Sequence, residues 1–148
     1  MMLLFKTLWS NHPSNRGEDS PCKDKKGNIA FENQCAIRLG MALKDSGMNL
    51  SSFTGARCWY GHKHLLRVEE MIKWLKKRTT DVGTASRFKP GVDARAAVAG
   101  KTGIVACRNF HGRGNQGDHI DLWDGTSMAK GSPDYMDRSE EVYFWEIA

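Results

Sequence analysis

NQCAIRLGMALK, residues 33–44, is the stretch that predicts the centre of the fold. Asn33 suits the N-cap of a helix, because its side-chain oxygen can accept a backbone N–H group of the first turn. The apolar side chains that follow recur at helical spacing, and Gly47 supplies a stop. The stretch therefore predicts a helix with one buried face and with a cysteine, Cys35, in its first turn.

This cysteine has two interpretations. Free cysteine is among the most buried residue types and often fills an apolar core. A thiol at a helix N-terminus can instead become a nucleophile, because the positive end of the helix dipole favours the thiolate. The helix is compatible with both, so the rest of the chain has to distinguish them.

The length and composition predict one globular domain over residues 1–148. The chain has 148 residues, 40% of them hydrophobic and 26% charged, which is enough for a single core. Its apolar N-terminal run is interrupted by Lys6, too early for a membrane span, and no cleavage site follows. We therefore expect neither a signal peptide nor membrane insertion.

The charge predicts an anionic partner. A net charge of +5 and an isoelectric point near 9.1 would suit nucleic acid, a cell-wall polymer with free carboxylates or an acidic protein. Aromatic residues do not alternate with basic ones as they do in grooves that bind single strands. On this pattern we expect no nucleic acid.

The cysteines predict no metal site. Their spacing matches neither CxxC nor a zinc ribbon, so no structural zinc and no other cofactor is expected. Cys22 and Cys58 lie in polar, turn-rich surroundings and could form one disulfide in an oxidising compartment. Cys107 lies in an apolar run and should pack as a reduced thiol.

Hydrophobic periodicity predicts helices first and strands last. Besides the helix that follows Asn33, helices are expected over residues 3–9 and 64–78. Buried strands are expected in TGIVACRNF (102–110), HIDLW (119–123) and EEVYFWEI (140–147). This order predicts an α+β fold in which N-terminal helices pack on a small antiparallel sheet.

The second of these strands carries two polar residues on one face. Strand periodicity places His119 and Asp121 with Trp123, opposite Ile120 and Leu122. A buried polar group without a partner costs about 1–3 kcal/mol, so packing alone does not explain the pair. A thiol at a helix start, a histidine and an adjacent acid are the parts of a nucleophile, its base and the group that orients the base.

This pattern leaves an alternative open. His62, His64 and His111 offer other pairings with a cysteine. The chain could then be a non-catalytic basic module that binds cell wall or nucleic acid, with Cys35 as a structural core residue.

Five motifs add a family resemblance. They are LWSNHP, NQCAIRLGMAL, HLLRVEEMIKWL, GKTGIV and GDHIDLWDG, and through them nearly the whole chain resembles the type VI secretion system amidase effector 4 family. The resemblance implies a papain-like, NlpC-type cysteine peptidase fold. It also implies a peptidoglycan amidase that cuts stem peptides between D-glutamate and meso-diaminopimelate. A housekeeping NlpC-type hydrolase would instead need a signal peptide or a wall-anchoring domain.

The resemblance further implies where the protein acts and with what. It would be made in the cytoplasm of the producer without a signal peptide and exported through a component of the secretion apparatus. Its site of action would be the periplasm of the target cell. A cognate immunity protein would neutralise it in the producer.

Transferred residue by residue, the family's nucleophile corresponds to Cys35 and its base to His119. The relatives carry a further aspartate well after the histidine strand, near positions 129 and 130, where this chain has no acid. The substitutes are Asp121, Asp124, Asp134 and Asp137. We prefer Asp121, because it lies two residues beyond His119 on the same strand.

An oxyanion would form when a thiolate attacks an amide carbonyl. The backbone N–H of Cys35 and the side chain of Asn33 or Gln34 are the donors that the sequence offers for it.

Overall fold

The computed structural model describes residues 2–90, 92–110 and 117–148. The helices in this part of the chain are α1 (Phe5–Asn11), α2 (Cys35–Asp45), α3 (Val68–Leu75), α4 (Thr79–Val82), α5 (Ala94–Val98) and α6 (Tyr135–Arg138). The strands are β1 (Ser86–Phe88), β2 (Gly103–Arg108), β3 (His119–Trp123) and β4 (Glu141–Glu146). No helix among these residues has the length and apolar character needed to cross a membrane.

The strands form one antiparallel sheet in the order β1-β4-β2-β3. Along β2, alternate side chains enter two separate apolar cores. One core lies against α1, α2 and α3 and contains Leu39, Met71 and Leu122. The other lies against α5 and α6 and contains Val98 and Val105. The predicted α+β class is confirmed, but short C-terminal helices cover the second face of the sheet as well.

Helix α2 is the best buried helix of the fold and lies against the edge strand β3. Eight of its 11 residues are buried, which agrees with the apolar spacing seen in the sequence. At Gly40 a methyl group would already be in van der Waals contact with Leu65, so a small residue lets the loop before α3 approach closely. This packing holds the start of α2 beside the start of β3.

Two local predictions were wrong in detail. The predicted helix over 64–78 begins only at Val68, because the residues before it pair with an earlier segment: Cys58 N–H donates to the His64 carbonyl at 2.8 Å, and Leu66 N–H to that of Ala56 at 3.3 Å. The short strand β1 was not predicted, because it is mostly exposed and has no apolar alternation.

Candidate active site

Cys35 is the first residue of α2. An N-cap at Asn33 would have made it the second residue of the helix. Gln34 is the N-cap residue, and the Asn33 side-chain oxygen accepts the Cys35 N–H at 3.2 Å. The thiol lies 3.7 Å from the backbone oxygen of Asp118, the residue before β3. Cys35 is 2% exposed, so a substrate must approach it through the neighbouring cleft rather than across open surface.

His119 begins β3 and joins Cys35 to Asp121. Its Nε2 lies 2.9 Å from Asp121 Oδ2. Because Nε2 is bound to the carboxylate, Nδ1 is the ring nitrogen left to interact with the Cys35 side chain, which together with Asp121 raises the pKa of His119. The structure therefore brings together the three residues that the sequence proposed, in the order thiol, imidazole, carboxylate.

The charges of His119 and Asp121 depend on each other. Burial alone would lower the pKa of His119, but its hydrogen bonds with Asp121 and Cys35 outweigh burial and raise that pKa to about 9. Burial would likewise raise the pKa of Asp121, yet hydrogen bonds from His119 and His12 leave it lowered. At neutral pH the pair is therefore an imidazolium and a carboxylate.

The Asp121 carboxylate has donors on both oxygens. Oδ2 accepts from His119 and from the Lys130 N–H at 2.9 Å. Oδ1 accepts from the Leu122 N–H at 2.7 Å and lies 3.3 Å from His12 Nε2. A carboxylate that is 1% exposed needs such partners to stay ionised, and here they also fix its orientation.

His12 is the residue of this site that sequence reasoning missed. It follows α1, is 1% exposed, and its Nδ1 accepts the Ser14 N–H at 3.2 Å. Nε2 therefore carries the proton of the neutral ring and donates to Asp121. The available signal was a histidine inside the family motif LWSNHP. Together, Cys35, His119, Asp121 and His12 are called the Cys35 cluster below.

The other candidate acids are bonded elsewhere. Asp124 accepts from Thr126 and Ser127 in its own turn. Asp134 contacts Ser132 and Arg138, and Asp137 accepts from Arg95 at 3.0 Å. Of the other candidate histidines, His62 and His64 lie beside Cys22 and Cys58, and His111 lies outside the described residues.

Gln34 has a different role from the one predicted. Its Oε1 accepts the Cys22 N–H at 2.8 Å, and its Nε2 donates to the carbonyls of Cys22 and Phe31, both at 3.0 Å. Both amide hydrogens are thus used, which removes this side chain as an oxyanion donor. The Cys35 N–H can donate to an oxyanion only after it releases its hydrogen bond to the Asn33 side-chain oxygen.

A cleft opens beside His119, and its lining includes Asn33, Arg38, Lys130, Gly131 and Tyr135. The Arg38 guanidinium donates to the Asp19 carbonyl at 2.7 Å, while its buried Nε has no partner among the described residues. A Cβ at Gly131 would lie only 2.7 Å from His119 Nε2, so glycine keeps the mouth of the cleft open. The cleft therefore places two cations, Arg38 and Lys130, and two acids, Glu32 and Asp118, beside the imidazole.

Comparisons with solved structures show the same fold. The effector in a Tae4–Tai4 effector–immunity complex from Enterobacter cloacae has 23% identity, with 100% of both chains covered and a TM-score of 0.73. The Tae4 effector from Salmonella typhimurium in complex with the Enterobacter cloacae immunity protein Tai4 has 22% identity, with 99% of each chain covered and a TM-score of 0.68. Enterobacter cloacae Tae4 alone has 20% identity, covers 100% of this chain and 98% of that one, and has a TM-score of 0.73. These matches confirm the predicted fold class.

A search of curated proteins found no match. The family model of Tae4, the type VI secretion system (T6SS) amidase effector protein 4, matches residues 31–145, and so includes α2, the sheet and most of the Cys35 cluster. This match confirms the resemblance that the sequence motifs indicated, and the chain belongs to the type VI secretion system amidase effector 4 family.

Proposed function

We propose that this chain is a cysteine amidase that hydrolyses the bond between D-glutamate and meso-diaminopimelate in peptidoglycan stem peptides. The observation that carries the proposal is the arrangement of Cys35 at the start of α2 beside the hydrogen-bonded pair His119 and Asp121 on β3. A histidinium beside a cysteine holds the sulfur as thiolate, the form that attacks carbonyl carbon. Membership of an amidase effector family supports the same reaction class.

The first half of the reaction forms a thioester. His119 already holds the proton that Cys35 gives up, so the sulfur is a thiolate, and it attacks the amide carbonyl to give a tetrahedral oxyanion. Collapse of this intermediate breaks the C–N bond, while His119 donates its proton to the leaving amine of diaminopimelate. The D-glutamyl side remains bound to the Cys35 sulfur.

The second half releases the acid. His119 removes a proton from water, the hydroxide adds to the thioester carbonyl, and the Cys35 sulfur leaves as a thiolate beside the imidazolium, which restores the starting state. Asp121 remains ionised throughout and keeps Nε2 of His119 protonated, so that Nδ1 is the nitrogen that exchanges protons with Cys35. His12 holds the carboxylate in that position.

The cleft supports a substrate that bears carboxylates. Arg38 and Lys130 line it beside His119, and although the Lys130 amine is paired with Asp19 at 3.4 Å, the buried Arg38 Nε is a donor without a partner among the described residues. Guanidinium groups bind carboxylates well, because the two planar groups match. The net charge of +5 supports association with an anionic wall.

The proposed biological setting follows from the family. The related Tae4 effectors from Enterobacter cloacae and Salmonella Typhimurium form complexes with Tai4 immunity proteins. We infer that this chain is neutralised by a cognate immunity protein in its producer. It would be exported from the producer's cytoplasm through a component of the type VI apparatus and would act in the periplasm of the recipient.

Mass spectrometry of purified muropeptides tests the reaction. We expect fragments with a new carboxyl group on D-glutamate and a new amino group on diaminopimelate, and no such products from a Cys35→Ala variant. Cleavage at another bond would contradict the proposed specificity. Turnover by the Ala variant would contradict the nucleophile. Binding of muropeptides without any cleavage would favour the non-catalytic binding module.

Expression in two compartments tests the setting. Fused to an export signal, the protein should lyse a susceptible bacterium, whereas cytoplasmic expression should be tolerated because the wall lies outside. The Cys35→Ala variant is the matched control and should be harmless in both. Equal toxicity of the wild type in both compartments would contradict a periplasmic target.

A further inference from the structure

Outside the active site, four potential metal ligands converge on one point. They are Cys22, Cys58, His62 and His64, called the Cys22 cluster below, and each offers one atom that lies within 4.8 Å of the other three. They come from two segments that are far apart in sequence: Cys22 precedes α2, and the other three lie in the loop before α3. Both cysteines are free thiols in the structure.

The spacing of these atoms fits a tetrahedral ion. The two sulfurs are 3.5 Å apart, and His62 Nδ1 lies 3.6 Å from Cys22 Sγ and 3.5 Å from Cys58 Sγ. With zinc bond lengths of about 2.3 Å to sulfur and about 2.0–2.1 Å to nitrogen, a tetrahedron separates two sulfurs by roughly 3.8 Å and sulfur from nitrogen by roughly 3.6 Å. The three separations differ from these values by about 0.3 Å or less.

His64 supplies a second, independent observation. Its Nδ1 is buried and has no hydrogen-bond partner among the described residues. A buried polar atom without a partner costs about 1–3 kcal/mol, whereas coordination of a cation satisfies an imidazole. His64 thus carries an unpartnered ring nitrogen and is one of the four residues whose ligand atoms converge.

We propose that the Cys22 cluster binds one Zn²⁺ ion. Two thiolates and two neutral imidazoles form a complete tetrahedral set, which is the ligand combination that selects zinc. Binding replaces the two S–H bonds by two S–Zn bonds and releases two protons to solvent, so that the filled site has no net charge. All four positions are occupied by protein, which makes the site structural rather than catalytic.

The ion would hold the start of the nucleophile helix in place. Cys22 exchanges two backbone hydrogen bonds with the Gln34 side chain, and Gln34 is the N-cap residue immediately before Cys35. Zinc would cross-link Cys22 to the loop at Cys58, whose separation along the chain is 36 residues. The loop before α3 and the segment before α2 would then be tied together behind the Cys35 cluster.

The disulfide expected from the sequence and the zinc site exclude each other, because both use the same two sulfurs. Spacing along the chain did not reveal the site, since only Cys58, His62 and His64 are near one another in sequence. The fold adds Cys22 as the fourth ligand.

Metal titration of the full chain tests the proposal without any substrate, so its result is independent of the amidase assay. Protein stripped with a chelator and kept reduced should bind one equivalent of Zn²⁺. Bound Co²⁺ should give the strong visible absorption of a tetrahedral thiolate site. Zinc should also raise the thermal midpoint of unfolding.

Four variants locate the ion. His62→Gln changes an exposed residue and should fold normally, yet it should weaken zinc binding by at least about 100-fold, as should Cys58→Ser. Cys35→Ala and Cys107→Ala should still bind one equivalent. The proposal is overturned if the reduced wild type binds no zinc at micromolar concentrations, if His62→Gln binds as tightly as the wild type, or if Cys35→Ala loses the metal.

Discussion

The Cys35 cluster and the Cys22 cluster use the same two kinds of side chain for different ends. The Cys35 cluster has one buried thiol and the Cys22 cluster has two, and each adds two imidazoles, but only the Cys35 cluster contains a carboxylate, Asp121, with donors on both oxygens. The Cys22 cluster has a second sulfur in place of the acid. The carboxylate fits one cluster to the proposed proton transfer, and the second sulfur fits the other to the proposed zinc site.

The electrostatics of the two clusters differ in the same way. Beside Asp121, the pKa of His119 rises to about 9, so the Cys35 cluster holds separated charges at neutral pH. Burial and the neighbouring Cys58 thiol instead raise the pKa of Cys22 to about 12, so this thiol is protonated at neutral pH.

The largest effect should come from the nucleophile itself. Cys35→Ala should lower the rate of muropeptide hydrolysis by at least about 10⁴-fold, since no other group supplies the attacking sulfur. Its thermal midpoint should move by only a few degrees, because a buried thiol fills little volume. Cys107→Ala is the matched control: it also removes a buried thiol, yet turnover per folded molecule should be unchanged. Equal losses of hydrolysis rate in both variants would contradict the assignment of Cys35 as the nucleophile.

Removal of the carboxylate should have the next largest effect. Asp121→Asn should lower kcat by up to about 10⁴-fold with little change in KM, because His119 loses the group that fixes its tautomer. The alkaline limb of the pH–rate profile should also move to lower pH. The sign follows from the pKa of His119, which is raised to about 9 with help from the carboxylate and falls towards its ordinary value without it.

Asn variants of the three other aspartates provide the controls. Asp124→Asn, Asp134→Asn and Asp137→Asn should retain nearly wild-type kcat, since each of these carboxylates is bonded away from His119. A collapse of kcat at one of them, together with an unaffected Asp121 variant, would transfer the orienting role to that position.

A smaller effect is expected from crowding the imidazole. Gly131→Ala places a methyl group 2.7 Å from His119 Nε2 and 3.1 Å from Tyr135, so the ring must shift. A displacement of that size should cost about 10²-fold in kcat. Gly40→Ala is the control, because its new methyl group meets Leu65 at an ordinary 3.6 Å. Steady-state rates of the two variants, compared at equal folded fraction, check the prediction.

The smallest effect should come from His12, which acts only through Asp121. His12→Leu removes a hydrogen bond to a buried charge, worth about 1.5 kcal/mol, and should lower kcat roughly tenfold. The alkaline limb should move down in pH, but less than for the Asp121 variant. His12→Gln retains an N–H donor and should recover part of both effects. If both variants keep the wild-type pH profile, His12 is only a packing residue.

Most of the scaffold of the site could be predicted locally. The helix that begins at Cys35 and the strand that begins at His119 follow from apolar spacing, which burial imposes directly on the order of residues. The start of α3 could not be predicted locally, because pairing between residues 56–58 and 64–66 replaces the first turn of the predicted helix. Strand β1 could not be predicted either, because its three mostly exposed residues form a strand only through antiparallel pairing with β4.

The sequence by itself determined which groups can react and which elements carry them: the thiol at the start of α2, the imidazole and acid on one face of β3, and the family to which they belong. Tertiary structure alone decided which groups meet. It brought His12 to Asp121, assigned Gln34 to the Cys22 backbone and gathered four potential metal ligands from two distant segments. The physical reason is that periodicity records burial along one element, whereas hydrogen bonds and coordination need atoms within about 2–3.5 Å of each other, which only the packing of distant segments provides.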